Sequence, residues 1–138
     1  MYKKQILKIN RRKKVTGAIV AALLLTASLA GTVFASNYTD TDYWFHCTGV
    51  GDVTEVRAKE DDTSAYIYHK GYSAAQVSVW SNEMNYTANG SYYVVSSGQQ
   101  MKLPNYVKER GRNDCYLKLV PIPAVSTILY GVWSPDSI

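Results

Sequence analysis

The hydrophobic positions of this chain follow two different rules. Between Ala18 and Ala30 they form an almost unbroken apolar run, and Lys and Arg crowd the stretch before it. From Tyr43 onward they alternate with polar residues, the period of a strand with one buried face. The alternation predicts a first strand over Tyr43-Trp44-Phe45-His46-Cys47 and a turn at Gly49-Val50-Gly51-Asp52. A second, weaker strand is expected over residues 53–59. Over residues 63–70, Ala65, Ile67 and His69 face one way and Tyr66, Tyr68 and Lys70 the other. Over residues 75–81, Ala75, Val77, Val79 and Ser81 oppose Gln76, Ser78 and Trp80. Residues 82–90 read as a loop with an Asn89-Gly90 turn. Further strands are expected at 91–97, 101–103, 115–120 and 125–133, with Pro121-Ile122-Pro123 ending the 115–120 strand because proline donates nothing to a ladder. No segment carries a helical period. About seven short strands at this spacing argue for an all-β fold, an antiparallel sandwich or barrel, and the sandwich is the architecture expected. The spacing of Trp80 from Cys47 and the Asn113 two places before Cys115 do not fit an immunoglobulin domain, so only the architecture is retained.

The amino-terminal rule has a different meaning. Seven basic residues (Lys3, Lys4, Lys8, Arg11, Arg12, Lys13, Lys14) precede the first acidic one. The apolar run follows, then Val33-Phe34-Ala35 with a small residue at its end. These are the three parts of a secretory signal peptide, with cleavage expected between Ala35 and Ser36 and a second possible site after Ala30. A membrane-spanning anchor needs about 20 predominantly apolar residues. The run reaches that length only by including Thr16, Gly17, Thr26, Ser28, Gly31 and Thr32. The organisation expected is therefore a signal at residues 1–35 and an exported β domain at 36–138, secreted, touching the membrane only before cleavage. The long basic leader resembles those of Gram-positive bacteria. No Cys stands just after the apolar run and no hydrophobic tail closes the chain, so no lipid anchor is expected.

Export changes the charge balance. The chain carries 15 basic and 11 acidic residues, a net +4. The signal holds seven of the basic and none of the acidic ones, which leaves eight against 11 and a net −3 for the exported part. Nucleic-acid binding draws on a dense positive surface that releases counterions from phosphate, so no nucleic-acid partner is expected. The cluster Lys108, Arg110, Arg112 reads as a solvated loop.

Both cysteines, Cys47 and Cys115, lie in the exported part. An even count in an oxidising compartment reads as a disulfide. It would close a loop of 68 residues, for which chain entropy gives about 4 kcal/mol. The competing reading is two separate thiols, one of them catalytic. Eleven of the twelve Tyr and all three Trp also follow the signal. Such side chains suit both half-wet strands and binding surfaces, and the pattern alone does not divide them.

Candidate chemistry is sparse. His46 and His69 are too few for a zinc site, and in a regular strand His46 points to the opposite sheet face from Cys47. Asp40-Thr41-Asp42 offers two calcium-type ligands without the rest of a calcium loop. Asp40, Asp42, Asp52, Glu55, Glu83 and Glu109 are the candidates for a pair of working carboxylates, all in polar, turn-like surroundings. A Cys–His dyad would compete with the disulfide, and no nucleophile elbow is present. No metal, cofactor or catalytic residue is assigned.

Three stretches carry a resemblance: Tyr92-Tyr93-Val94-Val95-Ser96-Ser97-Gly98-Gln99, Leu103-Pro104-Asn105-Tyr106-Val107, and the ending Gly131-Val132-Trp133-Ser134-Pro135-Asp136-Ser137. Together they resemble the short secreted Gram-positive proteins of the domain of unknown function 2712, the terminal Trp-Ser-Pro-Asp-Ser most distinctively. The resemblance implies export and a compact β domain. It transfers no catalytic residue, and it includes neither cysteine.

The function expected from the sequence is non-enzymatic binding at or near the cell envelope, to an envelope component or protein. A bacteriocin-like toxin is the alternative, and a small hydrolase a third class. The sequence names neither ligand nor oligomeric state.

Overall fold

The computed structural model describes residues 37–138. The expected signal segment and its Ala35/Ser36 junction lie outside the described residues. Among the described residues there are ten strands: β1 (Thr41–Thr48), β2 (Asp52–Val53), β3 (Arg57–Ala58), β4 (Ala65–His69), β5 (Ala74–Ser81), β6 (Met84–Asn85), β7 (Tyr93–Val95), β8 (Gln100–Leu103), β9 (Asp114–Ile122) and β10 (Ser126–Ser134). Every pairing is antiparallel. One sheet has the order β1-β10-β4-β8. The other is built on β9 and β5, with β2 and β3 along the outer edge of β9 and β6 and β7 along that of β5. The fold is a small all-β sandwich.

The alternation in sequence becomes two buried faces. Tyr43 and Cys47 of β1, Ala65, Ile67 and His69 of β4, Leu103 of β8, and Leu129 and Trp133 of β10 point inward from the first sheet. Ala75, Val77 and Val79 of β5, Val95 of β7, and Cys115, Leu117 and Leu119 of β9 meet them from the second. At roughly 1.5–3 kcal/mol for each large apolar side chain buried, this layer is the main source of stability. It also fixes register, because a slip of one residue would turn the whole set outward.

Three stretches depart from the sequence reading. The strand expected over residues 53–59 is reduced to the short pairs β2 and β3. Between them Thr54 substitutes its side chain for backbone pairing: its N–H donates to the Leu117 carbonyl at 2.9 Å, and its Oγ1 accepts from the Leu117 N–H at 2.9 Å. Residues 84–85, expected in a loop, form β6 after a tight turn at Asn82 and Glu83, both with positive φ. Pro121 does not end β9, which runs on to Ile122 with Pro121 opposite Ala75. The polar backbone groups of Leu117 face Thr54, and Pro121, four residues on, faces the same side. There β2 pairing has already stopped at Leu119, so the missing N–H leaves no partner wanting.

The disulfide expected between Cys47 and Cys115 is not formed. Both are free and buried, in opposite sheets as the topology requires, but at different ends of the core. Cys115 pairs with Arg57, whose guanidinium donates to the Trp133 carbonyl, and Trp133 pairs with Thr41. Cys47 lies six residues further along β1, a span of about 20 Å in an extended strand. A disulfide needs Cα atoms within about 7 Å.

Candidate functional site

Burying one face of β1, β10, β4 and β8 leaves the other face to solvent, and that face is aromatic. Register places Trp44 opposite Tyr130, and Val132 between Asp42 and Tyr68, with Gln100 opposite Tyr68 on the far side. Tyr72, just past β4, sets its ring edge-on against Tyr130 at 5.8 Å. Lys70 places its ammonium 4.9 Å from the centre of the Tyr68 ring. Trp44 and Tyr72 remain 62% and 75% exposed, far more than ring-bearing residues with a structural task. His46 stands at the end of the same face, opposite Ile128.

The next row, Ser134–Tyr66–Lys102, opens into a cleft of about 310 Å³. Tyr38 and Asp40 form one wall and the terminal residues Asp136, Ser137 and Ile138 the other. Partial burial raises the Tyr66 phenol above its usual value, and the nearby Asp40 carboxylate adds to the shift. Lys102 donates to the main-chain oxygen of Ile138. Cleft and aromatic band form one continuous surface with hydroxyl, carboxylate and ammonium groups at its margin. Such a surface suits stacking and hydrogen bonding to an extended partner.

What shapes the cleft is the distinctive chain ending. Asp136 is fully buried and forms an ion pair with Lys59 at 2.8 Å. The Lys59 ammonium also donates to the carbonyls of Thr63 and Pro135 at 2.6 and 2.8 Å, which uses all three of its protons. The other carboxylate oxygen of Asp136 accepts from the N–H groups of Asn37 and Glu60 at 2.8 and 3.0 Å. Ser134 donates to the Asp136 carbonyl, and the Ser137 N–H donates to Thr63 Oγ1. The Trp-Ser-Pro-Asp-Ser segment is thus a clasp. It ties the end of β10 to the start of the described chain and to the loop after β3, with the Trp133 ring buried beneath Arg57.

The second histidine is structural. His69 is buried and accepts from the Tyr43 hydroxyl at Nδ1, 2.8 Å away. Its Nε2 lies 2.7 Å from the Ser73 carbonyl, which only accepts, so Nε2 carries the proton. Burial lowers the His69 pKa below its ordinary value and raises that of Tyr43. Both ring nitrogens are occupied, so no thiol shares them. His46 and His69 point to opposite faces of the sheet.

The candidate carboxylates are scattered. Asp40 and Asp42 flank the cleft and the band, Asp52 and Glu55 lie in the β2–β3 stretch, Glu83 is in the β5–β6 turn, and Glu109 is in the loop before β9; all are exposed. Among the described residues, no three His, Cys, Asp or Glu side chains are grouped to hold a metal ion. Lys108 bonds Asn113 within its loop, Arg112 reaches Ser81 at the end of β5, and Arg110 is exposed. The thiols are poor nucleophiles: burial pushes Cys115 up to about 12 and also raises Cys47, which the Asp52 carboxylate raises further. Lys59 and Tyr72 escaped the sequence reading. Nothing in an alternating pattern marks a lysine for burial or a loop tyrosine for a strand face.

A family model described as a protein of unknown function (DUF2712) matches residues 31–137. No curated protein and no solved structure matches.

Proposed function

The chain belongs to the DUF2712 family, and from that premise we propose that it is an exported, non-enzymatic binding domain that holds a polymer of the Gram-positive cell envelope against its aromatic face. The observation that carries the reading is the band of Trp44, Tyr130, Tyr68 and Tyr72 outside the core, running into the cleft at Tyr66. Leaving rings of this size exposed forgoes the stabilisation their burial would give, and surface aromatics with polar tips are characteristic of binding faces. The cleft margin adds Asp40, Ser137 and Lys102 as hydrogen-bonding groups.

The test is sedimentation of the secreted protein with purified cell walls of the producing organism, with Trp44→Ala and Tyr130→Ala beside it. The wild-type protein is expected in the pellet and both variants in the supernatant. Wild-type protein left in the supernatant, or variants that pellet equally well, would overturn the reading. Killing of related bacteria by the same preparation would favour a toxin instead.

A further inference from the structure

The other sheet also has an occupied outer face. The outward residues of β5 and β9 form the floor of a second cleft, with Ser78 opposite Lys118 and Gln76 opposite Val120. The loop after β6 rises as its wall, ending at Tyr92. Three local hydrogen bonds brace that wall. Asn85 Nδ2 donates to the Ser91 carbonyl at 2.8 Å, Asn89 Nδ2 to the Tyr92 carbonyl at 3.0 Å, and the Ser91 N–H to Asn89 Oδ1 at 2.9 Å. Trp80 is held on the floor by its indole N–H, which donates to Ser78 Oγ at 2.7 Å. The cleft exists before any ligand arrives, which lowers the ordering cost of binding.

We propose that this cleft binds one acidic sugar unit, a pyranose ring bearing a carboxylate. Three features select that class. The volume is about 280 Å³, below the range of drug-sized sites and suited to a single ring. Two aromatic side chains, Trp80 and Tyr92, line the cleft as apolar surface against which a sugar can pack, while Gln76 and Ser91 bring amide and hydroxyl groups for its hydroxyls. Lys118 holds its ammonium 5.0 Å from the centre of the Trp80 ring, and no carboxylate lines the cleft among the described residues. A cation without an ionic partner in a half-desolvated site favours one negative charge, through a charge-assisted hydrogen bond. A nucleotide fits less well. Its phosphates call for several donors or a bidentate arginine, and the cleft supplies one lysine. Tyr92 is exposed, so packing in the core does not account for it.

The site lies on the opposite sheet from the aromatic band, so its test stands apart from that of envelope binding. The experiment is titration of the nitrogen-15-labelled secreted protein with glucuronate, glucose and acetate. It follows the indole N–H signal of Trp80, assigned by its loss in Trp80→Phe. Glucuronate is expected to shift this signal at millimolar concentration. Glucose and acetate are each expected to bind at least about tenfold more weakly. Lys118→Gln is expected to weaken glucuronate by about tenfold or more while its urea midpoint stays at the wild-type value. Trp44→Ala should leave the titration unchanged. The proposal is overturned if glucuronate causes no shift, if glucose or acetate matches it, or if folded Lys118→Gln binds as before.

Discussion

Lys59 and Asp136 lie 77 positions apart in the chain and 2.8 Å apart in space, and neither side chain reaches solvent. Removing both charges from water is expensive, and their attraction offsets this only because every remaining donor and acceptor of the pair is used. Breaking the pair from one side leaves a buried charge alone. Lys59→Met and Asp136→Leu are each expected to lower unfolding stability by about 3–5 kcal/mol. The double variant should lose less than the two single losses combined, because no orphaned charge remains. Urea denaturation of the four proteins measures the coupling, and simple additivity would count against the clasp.

This pair also marks the limit of what the sequence discloses. Strand periodicity is a local signal, and it was enough to read the inward faces of β4, β5 and β9 residue by residue, because hydrophobic burial acts at each position separately. Lys59 is buried for a reason 77 residues away, which an alternating pattern does not contain. Likewise Pro121 reads as a terminator until the end of β2 is known to leave that side of β9 unpaired. The terminal Trp-Ser-Pro-Asp-Ser stood out by resemblance, yet its role as a clasp depends on Asn37, Glu60 and Thr63 converging on it. The cysteine count suggested a bridge because parity carries no information about distance along a sandwich. As for the candidate site, the excess of Tyr and Trp was plain, but dividing core from surface required the register that sets Trp44 beside Tyr130.

Acid should loosen the core through His69. Its folded pKa lies below the ordinary value of about 6.5 because burial disfavours the imidazolium. The unfolded chain therefore binds the proton more readily. The stabilisation is complete above about pH 6.5 and is lost as pH falls toward the folded pKa. Protonated Nδ1 would also face the Tyr43 hydroxyl as a second donor. Urea midpoints are expected to fall between pH 7 and pH 5, and Tyr43→Phe to cost about 1–3 kcal/mol at neutral pH by leaving Nδ1 without a donor. A His69→Gln variant should show a flatter pH profile than wild type. An equally steep one would assign the acid sensitivity elsewhere.

Gly131 is required by contact. A β-carbon there would stand 2.1 Å from the Tyr68 carbonyl oxygen and 2.8 Å from the Tyr43 hydroxyl. The first neighbour is backbone of the adjoining strand and cannot turn away. Gly131→Ala is expected to cost more than about 3 kcal/mol, beyond ordinary overpacking. Gly90 is the control: nothing lies within 4 Å of its added β-carbon, and only its φ of +73° is unfavourable. Gly90→Ala should cost about 1–2 kcal/mol. Thermal or urea melts that rank the two variants the other way would contradict the β10–β4 register.

Cys47 and Cys115 are 3% and 0% exposed, and burial raises both pKa values, Cys115 to about 12. The thiolate is the reactive form, so near pH 8 native Cys115 offers almost none and neither sulfur is accessible. The protein should take up no iodoacetamide while folded and two equivalents in denaturant without a reducing agent. Intact mass reads both numbers. Fast labelling of the folded protein would mean that the core opens at one end. A protein that takes up label only after reduction would mean that Cys47 and Cys115 meet. That cannot happen with Thr41 opposite Trp133 and Arg57 opposite Cys115, so such a result would overturn the strand register itself.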